Sequence, residues 1–150
     1  MTKLKIGDTA PEINSVDQNG NSITLKQFQG NKVILYFYPK DMTPGCTAQS
    51  CNLSDNYVIL KKKGYEVLGV SCDSVKRHKK FIEKYNLPFS LVSDENQEVV
   101  KAYGVWGLKK FMGREYMGIN RTTFIIDSDG KIEDIITKVD TKNHIAQILV

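Results

Sequence analysis

Long apolar runs are missing from this sequence. The longest wholly apolar stretch is VILYFY at 33–38, whereas a membrane-spanning helix needs about 20 such residues. The first residues, MTKLKIGDTAPEI, carry charges and a proline where an export signal needs an unbroken apolar core. We therefore predict no membrane association and no secretory leader, and we expect a cytoplasmic protein.

Cysteine is scarce as well. The chain has three cysteines, an odd number, and the cytoplasm keeps thiols reduced. These facts argue against a framework of structural disulfides and favour reactive, metal-binding or inert buried thiols. Cys72, His78 and His144 show no recognised spacing of zinc ligands, so we predict no metal site.

A strong excess of one charge is also absent, since the formal net charge is only +4. Lysine and arginine cluster only in KKK at 61–63 and KRHKK at 76–80. Both clusters fall on patterns typical of solvent-exposed helix faces, without the interleaved aromatic residues of a nucleic-acid interface. We therefore predict no nucleic-acid binding, and we expect His78 to be exposed.

The composition itself is that of a folded protein. Apolar residues make up 41% and charged residues 25% of the 150 residues, which is ordinary for one globular domain. No internal repeat, low-complexity tract or linker divides the chain. Residues 1–150 are therefore interpreted as a single domain.

Turn signals and apolar patterns predict strands that alternate with helices. DQNGNS, with its Asn-Gly pair, predicts a hairpin between strands near 13–16 and 22–25. The later predicted elements are a buried strand in KVILYFYP, a helix over 44–62, a buried strand over 65–73, a helix over 74–88, a strand in FSLVSD, a helix in ENQEVVKAYG, two strands around the Asp-Gly turn of RTTFIIDSDGKIEDIITKV, and a closing helix in TKNHIAQILV. This order predicts an α/β fold with a mixed central sheet that has helices on both faces.

One cysteine lies where a helix is predicted to begin. Thr43 suits the N-cap, Pro44 suits the first helical position, and Cys46 then falls in the first turn. Unpaired N–H groups, the positive end of the helix dipole or a nearby arginine can lower the pKa of a thiol there. The site also follows the carboxyl end of a buried strand, where ligands bind in α/β sheets. Cys46 is therefore a candidate nucleophile, although a small apolar residue in a helix is the alternative.

A second cysteine, Cys51, follows five positions later. On an ideal helix that spacing places the two Cα atoms roughly 8.6 Å apart, whereas a disulfide tolerates about 7 Å. The two thiols therefore cannot bond until the helix unwinds, which suits an attacking thiol and a resolving thiol. A thioredoxin-type pair would have only two intervening residues.

The stretch PKDMTPGC resembles the active-site signature of the peroxiredoxins, with Pro39, Thr43 and Cys46 at the signature positions. The second cysteine five residues on resembles the bacterioferritin comigratory protein group, also called the Q-type. Further stretches agree with that group, namely KIGDTAPEI, GVSCDS, LPFSLVSDE, YGVWGLKKFMGREYMGINRTTFIID and DGKI. The resemblance covers almost the whole chain in register.

The resemblance implies a thioredoxin-like fold and the reduction of hydrogen peroxide and organic hydroperoxides. Cys46 would be the peroxidatic residue, Thr43 would hydrogen-bond the peroxide, Pro39 would shield the thiolate, and Arg121 would be the guanidinium of the pocket. Cys51 would resolve the oxidised sulfur, and thioredoxin or a similar dithiol would restore both thiols. No metal, haem or flavin cofactor is implied, and the family resemblance favours a monomer.

Several alternatives stay open at this level. Arg121 could form a surface ion pair, and Cys72 is interpreted as an inert thiol in a buried strand. Trp106, Phe111 and Met112 could line the pocket or contact a partner, or they could belong to a loop packed on the core. The rival functions are a thiol–disulfide oxidoreductase and a non-enzymatic holdase or interaction protein.

Overall fold

A computed structural model describes residues 2–149. In chain order its elements are β1 (Asn14–Val16), β2 (Ser22–Thr24), a 3-10 helix (Leu25–Phe28), β3 (Lys32–Phe37), α1 (Pro44–Asp55), α2 (Tyr57–Lys62), β4 (Tyr65–Ser71), α3 (Val75–Tyr85), β5 (Ser90–Ser93), α4 (Glu98–Ala102), β6 (Trp106–Phe111), β7 (Arg114–Ile119), β8 (Thr122–Ile126), β9 (Ile132–Ile136) and α5 (His144–Ile148). No helix in this described part of the chain is long and apolar enough to cross a membrane.

Seven strands form one mixed sheet in the order β2-β1-β5-β4-β3-β8-β9. Strands β3, β4 and β5 are parallel, and the flanking strands pair antiparallel. The predicted N-terminal hairpin is confirmed by the pairing of β1 with β2. Its turn contains Gly20 with φ +77°, a left-handed conformation that glycine adopts without strain.

The central strand β3 separates two hydrophobic clusters. Val33, Leu35 and Phe37 face one cluster, and Ile34 and Tyr36 face the other, because side chains alternate across a strand. The first cluster includes Val99, Val100 and Tyr103 from around α4, and the second includes Leu53, Leu60, Phe81 and Ile148 from α1, α2, α3 and α5. The prediction of a mixed sheet covered by helices on both faces is therefore confirmed.

Two predicted segments differ from the structure. The helix expected over 44–62 is interrupted at Asn56, whose φ of −108° and ψ of 9° end α1 before α2 begins. The segment around Trp106 is a hairpin of β6 and β7 rather than a loop. Trp106 packs against the core as expected, whereas Phe111 and Met112 are exposed. Its turn has positive φ at Met112 and Gly113, as a two-residue hairpin turn requires.

Candidate active site

The fold brings Cys46 and Arg121 together at the carboxyl end of β3. The chain leaves β3 at Phe37 and enters α1 at Pro44, which places Cys46 in the first helical turn with 1% of its surface exposed. Strand β8 runs antiparallel beside β3, and Phe37 pairs with Thr122. Arg121 therefore enters the sheet next to the point where the chain leaves it toward Cys46.

The guanidinium of Arg121 has two side-chain acceptors. Nη2 donates to Sγ of Cys46 at 3.2 Å, and Nη1 donates to Oε1 of Gln49 at 2.6 Å. Gly45 allows this approach, because a Cβ at that position would lie 3.3 Å from Nη2. The surface ion pair considered for Arg121 is not what the structure has, since its two side-chain acceptors are a thiol and an amide.

Gln49 is a site residue that sequence reasoning missed. Its side chain is fully buried, and its Nε2 has no hydrogen-bond partner among the described residues. The available signal was its spacing of three residues from Cys46, because such residues share one face of a helix. Its Oε1 is the acceptor that fixes the second edge of the Arg121 guanidinium.

Thr43 does not cap α1 with its side chain. It occupies the N-cap position with extended backbone angles, and Pro44 follows at the first helical position as predicted. However, the Thr43 hydroxyl donates backwards to the carbonyl of Lys40 at 2.8 Å. The prediction of Thr43 as the N-cap residue is confirmed in position, but its side chain makes no capping hydrogen bond. The lone pairs of the Thr43 oxygen remain available to accept a hydrogen bond.

Pro39 lies in a cleft between the end of β3 and the β6–β7 hairpin. Trp106, Lys109 and Ile119 line the same cleft, whereas Phe111 and Met112 are exposed on the hairpin. Nζ of Lys109 donates to the carbonyl of Ile119 at 2.9 Å. Burial, followed by the positive charge of Arg121, lowers the pKa of Lys109.

Cys51 lies further along α1, and both of its neighbours are tethered. The thiol is free and partly buried, and burial, followed by the charge of Asp55, raises its pKa. The hydroxyl groups of Ser50 and Tyr36 are 2.9 Å apart. Asn52 Oδ1 accepts from the backbone N–H of Ile145 at 2.8 Å, while its Nδ2 donates to the carbonyl of Lys142 at 3.3 Å. Cys46 and Cys51 both lie on the continuous helix α1, as predicted.

Cys72 follows β4, which ends at Ser71, and so lies outside the strand in which it was predicted. It is a free thiol of intermediate exposure. Burial, with smaller contributions from Asp94 and Asp73, raises its pKa to about 12. The thiol is therefore protonated at neutral pH, as expected of an inert cysteine.

The expectation that His78 is exposed is wrong. Its side chain is completely buried, and Nδ1 lies 2.6 Å from Oδ2 of Asp41. Together with Asp73 it forms one group of side chains, in the described residues, that is close enough to share a metal ion. The polar atoms of these three residues are already hydrogen-bonded within the protein, so we assign no metal to them.

Comparison with known proteins decides the family. The model of the AhpC/TSA family matches residues 6–135. Peroxiredoxin Bcp from Escherichia coli K12 is 51% identical over 144 residues, which is 96% of this chain and 92% of that protein. The chain belongs to the AhpC/TSA family. Within it, the chain is a peroxiredoxin of the Bcp group, and Peroxiredoxin Bcp from Bacillus subtilis is 42% identical over 97% of this chain and 93% of that protein.

Solved structures of peroxiredoxins share the fold. A cysteine-to-serine mutant of PrxQ from Xylella fastidiosa matches with a TM-score of 0.92 and 31% identity, over 99% of this chain and 95% of that one. A Xanthomonas campestris bacterioferritin comigratory protein, described by its alkyl peroxide reduction activity, matches with a TM-score of 0.87 and 32% identity, over 99% and 95%. The predicted thioredoxin-like fold is confirmed. This peroxiredoxin is thus a thiol peroxidase, an enzyme that uses a hydroperoxide and a thiol reductant.

Proposed function

We propose that Cys46 is the peroxidatic nucleophile and that it reduces hydrogen peroxide and organic hydroperoxides. The observation that carries this assignment is the 3.2 Å hydrogen bond from Arg121 Nη2 to the Cys46 sulfur. Of the three cysteines, Cys46 alone has such a contact with a cation among the described hydrogen bonds. Arginine stays protonated at any relevant pH, so it supports an anionic sulfur without competing as an acid.

The thiolate attacks the nearer oxygen of the hydroperoxide. An S–O bond forms, the O–O bond breaks, and the departing alkoxide or hydroxide takes one proton to leave as alcohol or water. The sulfur is oxidised to a sulfenic acid, and the peroxide is reduced. Negative charge develops on the departing oxygen, where the fixed donors of Arg121 lower the barrier in the manner of an oxyanion hole.

In this proposal Thr43 orients the substrate and Pro39 protects the thiolate. The Thr43 hydroxyl donates its hydrogen to Lys40, so its oxygen acts as an acceptor for the peroxide O–H. That contact holds the oxygen of the O–H group beside the sulfur that attacks it, and the other peroxide oxygen departs. Pro39 contributes no N–H of its own and shields the thiolate from water.

Cys51 resolves the sulfenic acid. Its thiol attacks the Cys46 sulfur, the S–O bond breaks, and water leaves with the formation of a disulfide. Both residues lie within the helix Pro44–Asp55, where the ideal Cα separation is roughly 8.6 Å, so α1 unwinds locally before they bond. Thioredoxin or a similar dithiol then takes up the oxidising equivalents by thiol–disulfide exchange. We expect a monomer throughout, which sedimentation of the reduced and oxidised protein tests.

Mass spectrometry of the peroxide-treated protein tests the division of labour. Reduced enzyme mixed with one equivalent of hydrogen peroxide is expected to lose two hydrogens and to yield a 46–51 disulfide on peptide mapping. Cys51→Ser is expected to complete one turnover, leaving Cys46 as a sulfenic acid that dimedone traps. Cys46→Ser is expected to consume no peroxide.

The outcomes separate the proposal from its rivals. Peroxide consumption by Cys46→Ser would refute the assignment of the nucleophile. Oxidation of Cys46 without a 46–51 disulfide would refute only the role of Cys51. Cys72→Ser is the matched control, since it also removes one thiol and is expected to leave both the turnover and the disulfide unchanged.

A further inference from the structure

Asp41 lies at the middle of the segment that joins β3 to α1, and it is almost completely buried. Its exposure is 1%, and that of His78, which it contacts, is 0%. Asp41 is two residues from Pro39 on one side and two residues from Thr43 on the other. Its conformation therefore governs where both of these residues are placed.

Every polar group of Asp41 has a partner. Oδ1 accepts from the Tyr38 hydroxyl at 2.6 Å, and Oδ2 lies 2.6 Å from His78 Nδ1. The backbone N–H donates to Asp73 Oδ2 at 2.8 Å, and the backbone carbonyl accepts from Arg77 Nη2 at 3.0 Å. These contacts tie the midpoint of the segment to the end of β4 and to α3.

Both ring nitrogens of His78 face acceptors. Nε2 lies 2.9 Å from the carbonyl of Val92, which can only accept, and Nδ1 faces the carboxylate of Asp41. The nearby Ser71 hydroxyl gives its hydrogen to Asp73, so it does not donate to the ring. A hydrogen on each nitrogen satisfies both acceptors, and that form of histidine carries a positive charge.

We propose that His78 is a buried imidazolium paired with the Asp41 carboxylate, and that this pair is a positioning device for the active-site segment. The charges around it belong to Asp73 and Arg77, which also bond to each other at 3.1 Å, while the Tyr38 hydroxyl bonds to the other oxygen of Asp41. The inference rests on the proposed roles of Pro39 and Thr43.

The backbone is strained at Met42, next to Asp41, and the Asp41–His78 pair stabilises this strained conformation. Met42 has φ +67°, a left-handed conformation that a non-glycine side chain keeps only when its surroundings fix it. Met42 is itself 37% exposed, so its own side chain contributes little to that constraint. The buried anchor at Asp41 therefore holds the turn that points the Thr43 hydroxyl at Lys40.

Nitrogen NMR of the wild-type enzyme tests the charge directly. Two-bond ¹H–¹⁵N spectra at pH 7.5 are expected to show both nitrogens of His78 protonated. In Asp41→Asn the amide can donate to Nδ1 while Nε2 still donates to Val92, so Nδ1 is expected to shift to an unprotonated nitrogen. A wild-type ring with one unprotonated nitrogen would overturn the imidazolium.

Two variants of His78 test the positioning. The amide of His78→Asn reaches the place of Nδ1 and keeps a donor to Asp41, whereas His78→Gln reaches the place of Nε2 and keeps a donor to Val92. We expect His78→Gln to lower the rate constant for peroxide about 10- to 100-fold, and His78→Asn to stay much closer to wild type. Reduction of the disulfide by dithiol is expected to proceed at the wild-type rate in both.

Equal peroxide rate constants for the two variants would overturn the positioning role, because a merely structural histidine is lost equally in both. Should either variant fail to fold, the NMR measurement on the wild type and on Asp41→Asn still decides the charge. If peroxide leaves Cys46 of the wild type unmodified, it is the proposed function that fails, while the spectra report on the ion pair independently.

Discussion

Arg121 shares its guanidinium between the Cys46 sulfur and a buried amide. The planar fork suits this arrangement, because one nitrogen donates to Cys46 while another donates to Gln49. Lysine would supply the charge from a single flexible ammonium. Gly45 keeps the approach open, since any side chain there would come within 3.3 Å of Nη2. Orientation as well as charge therefore decides how Arg121 acts.

Arg121→Lys is expected to slow the reaction of Cys46 with hydrogen peroxide by about 10²- to 10³-fold, the usual effect of removing one fixed donor. Lysine keeps the positive charge, so a lower rate constant would measure the contribution of the guanidinium geometry. Stopped-flow fluorescence of Trp106, the one tryptophan in the sequence, or direct peroxide consumption measures the rate constant. Arg114→Lys, at an exposed position of β7, is the matched control. A wild-type rate for Arg121→Lys would show that charge alone suffices.

Cys72 is expected to resist alkylation. With its pKa raised to about 12 by burial, the thiolate fraction at pH 7.5 is roughly 10³-fold lower than that of a free cysteine with pKa ~8.5. Iodoacetamide labelling of the reduced enzyme, followed by peptide mass spectrometry, measures the rate at each thiol. Labelling of Cys72 as fast as that of glutathione would contradict the protonated state.

Site residues differ in how far the sequence predicts them. Cys46 follows from a turn signal, a proline and a predicted helix start, all of which are local. Arg121 could be assigned only through the family resemblance, because its contact with Cys46 depends on the register of β8 against β3. His78 was mispredicted because its neighbours in KRHKK are charged. In the fold, its ring points inward to Asp41 and the carbonyl of Val92. Both residues are distant in sequence, so no local pattern predicts these contacts.

In the proposed mechanism, helix α1 holds Cys46 during peroxide attack and then releases it toward Cys51. Hydrogen bonds hold the helical turn that carries Cys51 on both sides. Ser50 bonds to the hydroxyl of Tyr36 on β3, and the side chain of Asn52 bonds to backbone groups just before and within α5. Local unwinding breaks these bonds. If Cys51 resolves as proposed, these hydrogen bonds oppose disulfide formation and favour the helical arrangement of Cys46.

Asn52→Ala is expected to speed disulfide formation after a peroxide pulse. Loss of a net ~1 kcal/mol of hydrogen bonding from the wound state raises the unwound population about fivefold. Quenched-flow mass spectrometry measures the disulfide, and the sulfinic acid formed at high peroxide should fall in proportion. Asn96→Ala, at an exposed loop position, is the control. Unchanged resolution in Asn52→Ala would mean that these tethers do not limit unwinding.

Two of the three hairpins within residues 2–149 were predicted from their turn sequences, and the β6–β7 hairpin was not. Asn-Gly and Asp-Gly turns identified the β1–β2 and β8–β9 hairpins, which the pairing confirms. The β6–β7 hairpin turns instead at Met112 and Gly113, where a methionine adopts φ +51°. Methionine is not a turn signal. Strand β6 is only partly buried and β7 is mostly exposed, so no alternation of buried and exposed residues marked them.

At the scale of the whole molecule, packing within the central sheet affects the position of helix α1. Gly69 lies in β4 beside Tyr36 of β3 and Leu91 of β5. A Cβ there would come within 2.6 Å of a Leu91 methyl and 2.8 Å of the Tyr36 ring. Tyr36 in turn contacts Ser50 next to Cys51. The close packing of Tyr36 against Gly69 thus fixes the tyrosine hydroxyl that bonds to Ser50 of α1.

Gly69→Ala is therefore expected to destabilise the protein by about 1–3 kcal/mol, the usual effect of overpacking a filled core. Urea unfolding followed by circular dichroism measures the change. Gly107→Ala is a milder comparison on the β6–β7 hairpin, where the nearest contact, at 3.2 Å, is the side-chain amide of Asn120. Equal stabilities for Gly69→Ala and wild type would mean that Tyr36 and Leu91 move aside without cost.

The closing helix α5 makes overall stability depend on pH through His144. The side chain is fully buried, with Nε2 2.9 Å from the Thr123 hydroxyl and Nδ1 2.8 Å from Gln147 Oε1. Burial lowers its pKa, and the charge of Arg121 acts in the same direction. Folding therefore favours neutral His144, with Nδ1 donating to Gln147 and Nε2 accepting from Thr123.

The sign of the pH effect follows from proton binding in the two states. Above pH ~6.5, the usual histidine pKa, both states are neutral and the full stability is present. As pH falls below that value, the unfolded chain binds a proton before the folded one, so stability is lost toward the lowered folded pKa. Urea unfolding at pH 7.5 and 5.5 should show a larger loss for wild type than for His144→Gln, which has no titrating group there. Equal losses would mean that protonating His144 is not opposed by the fold, and that α5 accommodates the charge.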